Sequence, residues 1–191
     1  LLRIAVLNTV DSELTLVRLV DTDGPAAMKL IYKRYVRLLT AVCSRYILND
    51  EDVKDVLQES FLKIFASIGT FRYKGEGSLK AWMTRVVVNE TLKFIGRTQR
   101  IDFTAISEDV AGIAEEEPEI SDVPASVIHG FIRGLPDGYR MIFNLFVVEG
   151  KSHREIAALL GIRESTSASQ LHRAKALLAA KIKEYLNNTS I

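Results

Sequence analysis

The sequence predicts an all-α protein: two small helical domains joined by an acidic linker, with a helix-turn-helix in the second domain. Three observations carry that expectation. Apolar residues recur at three- and four-residue steps in most segments, the period of a helix with one buried face. No sustained strand-type alternation interrupts them. Between Ile101 and Pro124 the chain turns abruptly to eight acids with no Lys or Arg, which divides it into 12–100, 101–124 and 125–187.

Residues 12 to 20, SELTLVRLV, read as a short helix capped by Ser12, and the run from Asp21 to Pro25 is expected to break it. Pro25 suits the first turn of the next helix, where an amide would have no intrahelical partner. From Ala26 to about Tyr46, Met28, Ile31, Tyr32, Tyr35, Leu38, Leu39, Val42 and Cys43 form one stripe. Lys29, Lys33, Arg34, Arg37 and Arg45 fall between them as a solvated face. After a turn at 48–50, EDVKDVLQESFLKIFASIG places Val53, Val56, Leu57, Ser60, Phe61, Ile64, Phe65 and Ile68 on a buried stripe. Asp50, Glu51 and Asp52 complement the positive helix N-terminus, and Gly69 is expected to end the helix. A second face carries Asp55, Gln58, Glu59 and Leu62 at i, i+3, i+4 and i+7. That strip is either an ordinary solvated face or a docking strip for a basic partner helix.

Phe71 to Gly77 should be a loop, with Ser78 as N-cap of a helix from Leu79 to Ile95. Gly75 and Gly77 do not make a phosphate loop, because the full glycine fingerprint after a strand is missing. On the helix Trp82, Val86 and Phe94 mix with Lys80, Arg85, Asn89 and Lys93, and from Arg72 to Arg100 seven Lys or Arg stand against two acids. Rings among cations suit single-stranded nucleic acid, with bases stacked on rings and phosphates held by charge. A basic helix whose rings fill the core gives the same pattern, so both readings stay open.

The linker acids are Asp102, Glu108, Asp109, Glu115, Glu116, Glu117, Glu119 and Asp122, with Pro118 and Pro124 among them. Without periodicity they describe a solvated tether. They also cancel the basic flanks and leave a formal net charge of +1. A helix over 126–133 then precedes Gly134, Leu135 and Pro136, and a further helix from Asp137 to Glu149, closed by Gly150, turns Tyr139, Ile142, Phe143 and Phe146 inward. Ser152 to Leu178 reads as a helix-turn-helix. Ser152 and Glu155 have capping-box spacing, Ile156, Ala157, Leu159 and Leu160 supply an apolar face, and Gly161 suits a left-handed closing residue. The second helix buries Leu171, Ala174, Leu177 and Leu178 and leaves Thr166, Ser169, Gln170, His172 and Arg173 outside. Such a face can read base edges in the major groove, although a plain helical hairpin has a similar pattern.

Other classes find little support. Cys43 is the sole cysteine, expected as a packed core thiol, so neither an internal disulfide nor a cysteine-rich zinc site is available. His129, His153 and His172 lack metalloprotease spacing, and no nucleophile or phosphate-loop motif is present; catalytic residues, metals and cofactors are expected to be none. No apolar run approaches the roughly 20 residues of a membrane span, and LLRIAVLNTVDSE lacks the parts of an export signal. A cytoplasmic protein without membrane insertion is the expectation.

Three stretches in register resemble the extracytoplasmic-function group of bacterial sigma factors, the promoter-recognition subunits of RNA polymerase. They are DVLQESFLKIF over 55–65, FRYKGEGSLKAWMTRVVVNETLKF over 71–94, and LPDGYRMIFNLFVVEGKSHREIAALLGIRESTSASQLHRAKALL over 135–178. The likeness extends over residues 12–186, with the acidic linker in its expected place. It implies a non-enzymatic subunit that binds core RNA polymerase, recognises the −35 and −10 elements of promoter DNA and promotes initiation. Asp55, Gln58, Glu59 and Leu62 would dock on the clamp helices of the largest polymerase subunit. Lys63, Ser67, Phe71 and Asn89 would lie near a pocket for a flipped −10 base, with Trp82 and Arg85 supporting the helix or touching the strand. Ser165, Thr166, Ala168, Ser169, Gln170, His172 and Arg173 would read the −35 element. The linker would thread the polymerase near the RNA exit path, and an anti-sigma factor would be a further partner.

The chain departs from the group at Ala168, where Lys or Arg is common, at Ser165, where Gly is common, and at Arg163, where a Ser or Pro cap is usual. The alternative is a stand-alone helix-turn-helix regulator with residues 1–100 as a partner or ligand module. That reading needs tight DNA binding by the protein alone, which the low net charge opposes.

Overall fold

A computed structural model describes residues 12–98, 101, 103, 121 and 123–189, and the chain divides into two compact units, Leu1–Gln99 and Arg100–Ile191. The described residues form helices and turns and no strand. Of the acidic stretch only Ile101, Phe103, Ser121, Val123 and Pro124 are described, so its reading as a tether lies outside the described residues.

The first unit has four helices: α1 (Glu13–Thr22), α2 (Gly24–Cys43), α3 (Asp50–Ser67) and α4 (Ser78–Thr98). Ser12 caps α1 as expected, accepting from the Thr15 amide at 3.2 Å. The expected breaker is shorter than its composition suggests. Helix α1 runs on through Thr22, and Asp23 alone separates it from α2, its carboxylate accepting from the Ala26 amide at 3.1 Å. Asn49 caps α3 through bonds from the Glu51 and Asp52 amides at 2.9 and 3.1 Å. A 3-10 turn, Ile68–Thr70, follows α3, so the chain coils on past Gly69. Helix α2 packs on α1, α3 and α4, and α3 packs on α4. Ile31, Leu39, Val56, Ile64, Leu79, Met83 and Val87 are buried there, each worth about 1.5–3 kcal/mol of transfer free energy. Cys43 is fully buried, as expected; burial pushes its thiol up, while the Thr91 hydroxyl at 3.5 Å pulls the other way.

The start of α4 is held differently from its expected cap. Ser78 is the first helical residue, and its hydroxyl donates back to the Gly75 carbonyl at 2.6 Å. The amides of Leu79 and Lys80 instead donate to the Glu13 carboxylate at 2.8 and 2.9 Å. Glu13 is 2% exposed and also accepts from the Tyr35 hydroxyl at 2.9 Å, so one acid of α1 caps α4 and ties both to α2. Burial pushes the Tyr35 phenol up, and Glu13 reinforces this. Glu13→Ala would strip the acceptor from two helix-start amides and a buried phenol. The expected loss is about 2–4 kcal/mol of stability, read as a lower chemical-denaturation midpoint. An unchanged midpoint would show that the cap does not matter.

The second unit contains α5 (Ala125–Arg133), α6 (Asp137–Phe143), α7 (His153–Leu160) and α8 (Glu164–Thr189). Leu135, Tyr139, Ala174 and Leu178 form one cluster of its core, with Phe131, Ile132, Phe143 and Leu177 packed around them, and Ile142, Leu145 and Ile156 are fully buried as well. Arg140 is buried yet paired: it donates to the Leu135 carbonyl at 2.9 Å and the Asp137 carboxylate at 2.5 Å, stitching the α5–α6 turn together. Past Phe143 the helix widens into a π segment, Asn144–Val148, which periodicity did not signal. Leu159 departs from its expected apolar face and is exposed.

Candidate nucleic-acid interface

Helix α4 presents a polar face. Trp82, Arg85 and Asn89 follow one another at three- and four-residue steps, with Arg85 and Asn89 exposed and Trp82 half-buried. The Trp82 ring packs on Phe71 with centroids 5.2 Å apart and planes tilted by 41°, so the loop before α4 leans on the helix. The positive φ of Gly75 and Gly77, +118° and +88°, lets that loop turn tightly into the helix. Glu76 in the loop accepts from the Glu13 amide at 3.2 Å and from Arg34 at 3.4 Å. Across on α3, Lys63 is exposed, and Ser67 spends its hydroxyl on the Lys63 carbonyl at 2.6 Å. Thus Phe71 and Trp82 are in contact, while Lys63 reaches α4 through Glu90, a buried neighbour of Asn89. Lys93 stands among the cations read from the sequence of this helix, whereas Glu90 is not singled out there. Their i, i+3 spacing was visible; the partner on α3 was not.

On α3 the strip Asp55, Gln58, Glu59 and Leu62 is exposed throughout, and Leu62 is 64% exposed. Glu59 pairs with Arg97 of α4 at 3.6 Å, an exposed bridge of little energetic weight. Gln58 and Leu62 form one lip of a groove of about 730 Å³ whose apolar lining includes Tyr32, Leu57, Phe61 and Phe65. Tyr32, expected in the buried stripe of α2, is half exposed there and packs on Phe61 with centroids 4.8 Å apart.

The helix-turn-helix geometry follows from its caps. The Ser152 hydroxyl accepts from the Glu155 amide at 3.3 Å, and Glu155 accepts from the Ser152 amide at 2.8 Å, completing the capping box. Hydrogen bonds from the Ser152 backbone and side chain hold the Glu155 carboxyl below its ordinary value. Gly161 closes α7 at φ +67°. His153 stacks on Phe146, centroids 4.6 Å apart, and its Nδ1 shares a 2.9 Å hydrogen bond with Ser167 of α8, which fixes the start of α8 against α7. Ser165, Ala168, Ser169 and His172 are exposed, and Thr166 and Arg173 partly so.

Gln170, expected on the outward face, is instead buried at 1% exposure. Its Nε2 donates to the Phe103 carbonyl, and its Oε1 has no hydrogen-bond partner among the described residues. Gly138 makes room for it: a Cβ there would lie 3.2 Å from Gln170 Oε1 and 3.4 Å from the Phe103 ring. The signal was present in the spacing, because Ser167, Gln170, Leu171, Ala174 and Leu178 share one helical face, and all five are buried.

Comparison with known proteins yields two family matches. Residues 31–101 match the description "Sigma-70 region 2" and residues 126–178 match "Sigma-70, region 4". The "ECF RNA polymerase sigma-E factor" of Salmonella typhimurium strain LT2 is 30% identical over 179 residues, covering 87% of this chain and 92% of that protein. The "ECF RNA polymerase sigma factor SigE" of Mycolicibacterium smegmatis is 28% identical over 151 residues, and the match spans 74% of this chain but 56% of that longer protein. A solved structure of the sigma factor RpoE in complex with the anti-sigma factor NepR from Bartonella quintana is 21% identical with a TM-score of 0.46, covering 81% of this chain and 96% of that one.

Proposed function

The chain belongs to the extracytoplasmic-function group of the sigma-70 family and is a sigma factor of transcription initiation, and from that premise we propose a role for each part. Its partners are RNA polymerase and promoter DNA. Residues 12–100 bind core polymerase through Asp55, Gln58, Glu59 and Leu62. The same domain engages the −10 element through Lys63, Ser67, Phe71, Trp82, Arg85 and Asn89. Taking a base out of the stack costs a few kcal/mol, and a pocket of rings, cations and one amide offsets that cost.

Residues 101–124 link the domains, and residues 125–187 read the −35 element through Ser165, Thr166, Ala168, Ser169, His172 and Arg173, without Gln170. The protein is no enzyme: bond formation belongs to the polymerase. It works in the cytoplasm, where promoter and polymerase meet, and an anti-sigma factor holds it inactive. What carries the reading is that the region 2 and region 4 matches fall in that order on separate compact units.

The test is run-off transcription with purified core polymerase and a promoter library. Core binding and specific initiation are expected, with enriched promoters sharing two spaced elements. A protein that shifts palindromic DNA tightly on its own and ignores core polymerase would instead be the stand-alone regulator.

A further inference from the structure

Glu90 is the only acid in α4, follows Asn89 directly and is 4% exposed. Two ammonium groups close on its carboxylate. Lys63 of α3 donates to Oε2, and Lys93, one turn along α4, donates to Oε1 at 3.1 Å. The lysine side chains themselves remain 51% and 62% exposed. Burial raises the Glu90 carboxyl, but the hydrogen bonds and charges of the two lysines outweigh it and leave it below its ordinary value. A structural ion pair would need one lysine. Here the trio keeps a net positive charge, anchored from below and open to solvent above.

We propose that Glu90 is a positioning residue that holds the Lys63 and Lys93 ammonium groups beside Asn89, where they grip phosphates of the displaced non-template strand. The inference rests on the −10 assignment made above. A free lysine loses side-chain freedom when it binds a phosphate, whereas one already tethered has lost part of it beforehand. The carboxylate therefore strengthens strand capture even though its own charge repels DNA.

That opposition makes the inference testable. Glu90→Gln removes one negative charge and raises the formal net charge from +1 to +2, so charge alone predicts tighter DNA binding. Positioning predicts the reverse: about tenfold slower promoter opening. The measurement uses holoenzyme assembled on core polymerase and a fluorescent base in the −10 non-template strand. Because burial of a glutamine between two lysines can disturb folding, the same substitution is also made in a Lys63→Gln/Lys93→Gln background, where no unpaired charge is left inside. There Glu90→Gln is expected to cost nothing further in opening.

Opening as fast as in the unaltered protein for Glu90→Gln overturns the inference, and so does a cost that persists undiminished without the lysines, which marks a purely structural role. Asn89→Ala separates the two levels. If it opens promoters normally, the −10 assignment fails and the inference falls with it. If it is impaired while Glu90→Gln is not, the inference alone fails.

Discussion

Leu62→Asp is expected to lower affinity for core RNA polymerase by roughly 30- to 1,000-fold while leaving the thermal midpoint of the free protein unchanged. Leu62 is 64% exposed, so its removal opens no cavity in the first unit. It stands at the lip of the groove lined by Tyr32, Phe61 and Phe65, on the same helix face as Asp55, Gln58 and Glu59. An apolar anchor ringed by polar groups is where interface energy concentrates, because the rim excludes water while the anchor is desolvated. The acids contribute differently. They are exposed, and the Glu59–Arg97 bridge at 3.6 Å opens at little cost, so they steer a basic partner and fix its register. Asp55→Lys should therefore slow association in a salt-dependent manner, whereas Leu62→Asp should speed dissociation. Titration of labelled core polymerase measures both. Unaltered affinity in Leu62→Asp would put the interface elsewhere.

Elements governed by short-range chemistry were legible from sequence. The Ser12 cap, the Ser152–Glu155 capping box and the left-handed Gly161 all act within a few residues, and each forms as its local pattern requires. What was not legible depends on residues far apart. Glu13 caps α4 from 66 residues away, a relation no helix-start rule can express, and Ser78 is thereby released to bond the Gly75 carbonyl. The Glu90 cluster hides for the same reason, since its second lysine comes from another helix. Tyr32 and Leu159 fit their apolar stripes by period yet face solvent, because a stripe wider than its partner surface leaves its edge uncovered. Gln170 shows the converse, a polar residue at a buried position of the helical period. Its position is set by the stripe it shares with Leu171 and Ala174, and its amide is accommodated by Phe103 and Gly138.

That burial separates two neighbours on α8 that sequence treated alike. Arg173→Ala is expected to lower initiation from a cognate promoter by about 10- to 100-fold, with core binding intact, because a guanidinium on the outward face can make a bidentate contact to a guanine. Gln170→Leu should leave −35 preference unchanged. Its side chain is buried away from the outward face; the substitution gives up the bond to the Phe103 carbonyl and removes an Oε1 that has no hydrogen-bond partner among the described residues. Run-off transcription across a set of −35 variants distinguishes the two: altered preference in Gln170→Leu with none in Arg173→Ala would invert the face assigned to DNA. The same helix explains why a polymerase is needed at all. Between Ser165 and Leu178 the only cations are Arg173 and Lys175, and Ala168 adds none. Few phosphates can be neutralised by so few charges, so the free protein should bind promoter DNA weakly and with a shallow salt slope. The remaining affinity has to come from the −10 contacts and from the polymerase, which holds both domains on one promoter and turns the second contact into an intramolecular event.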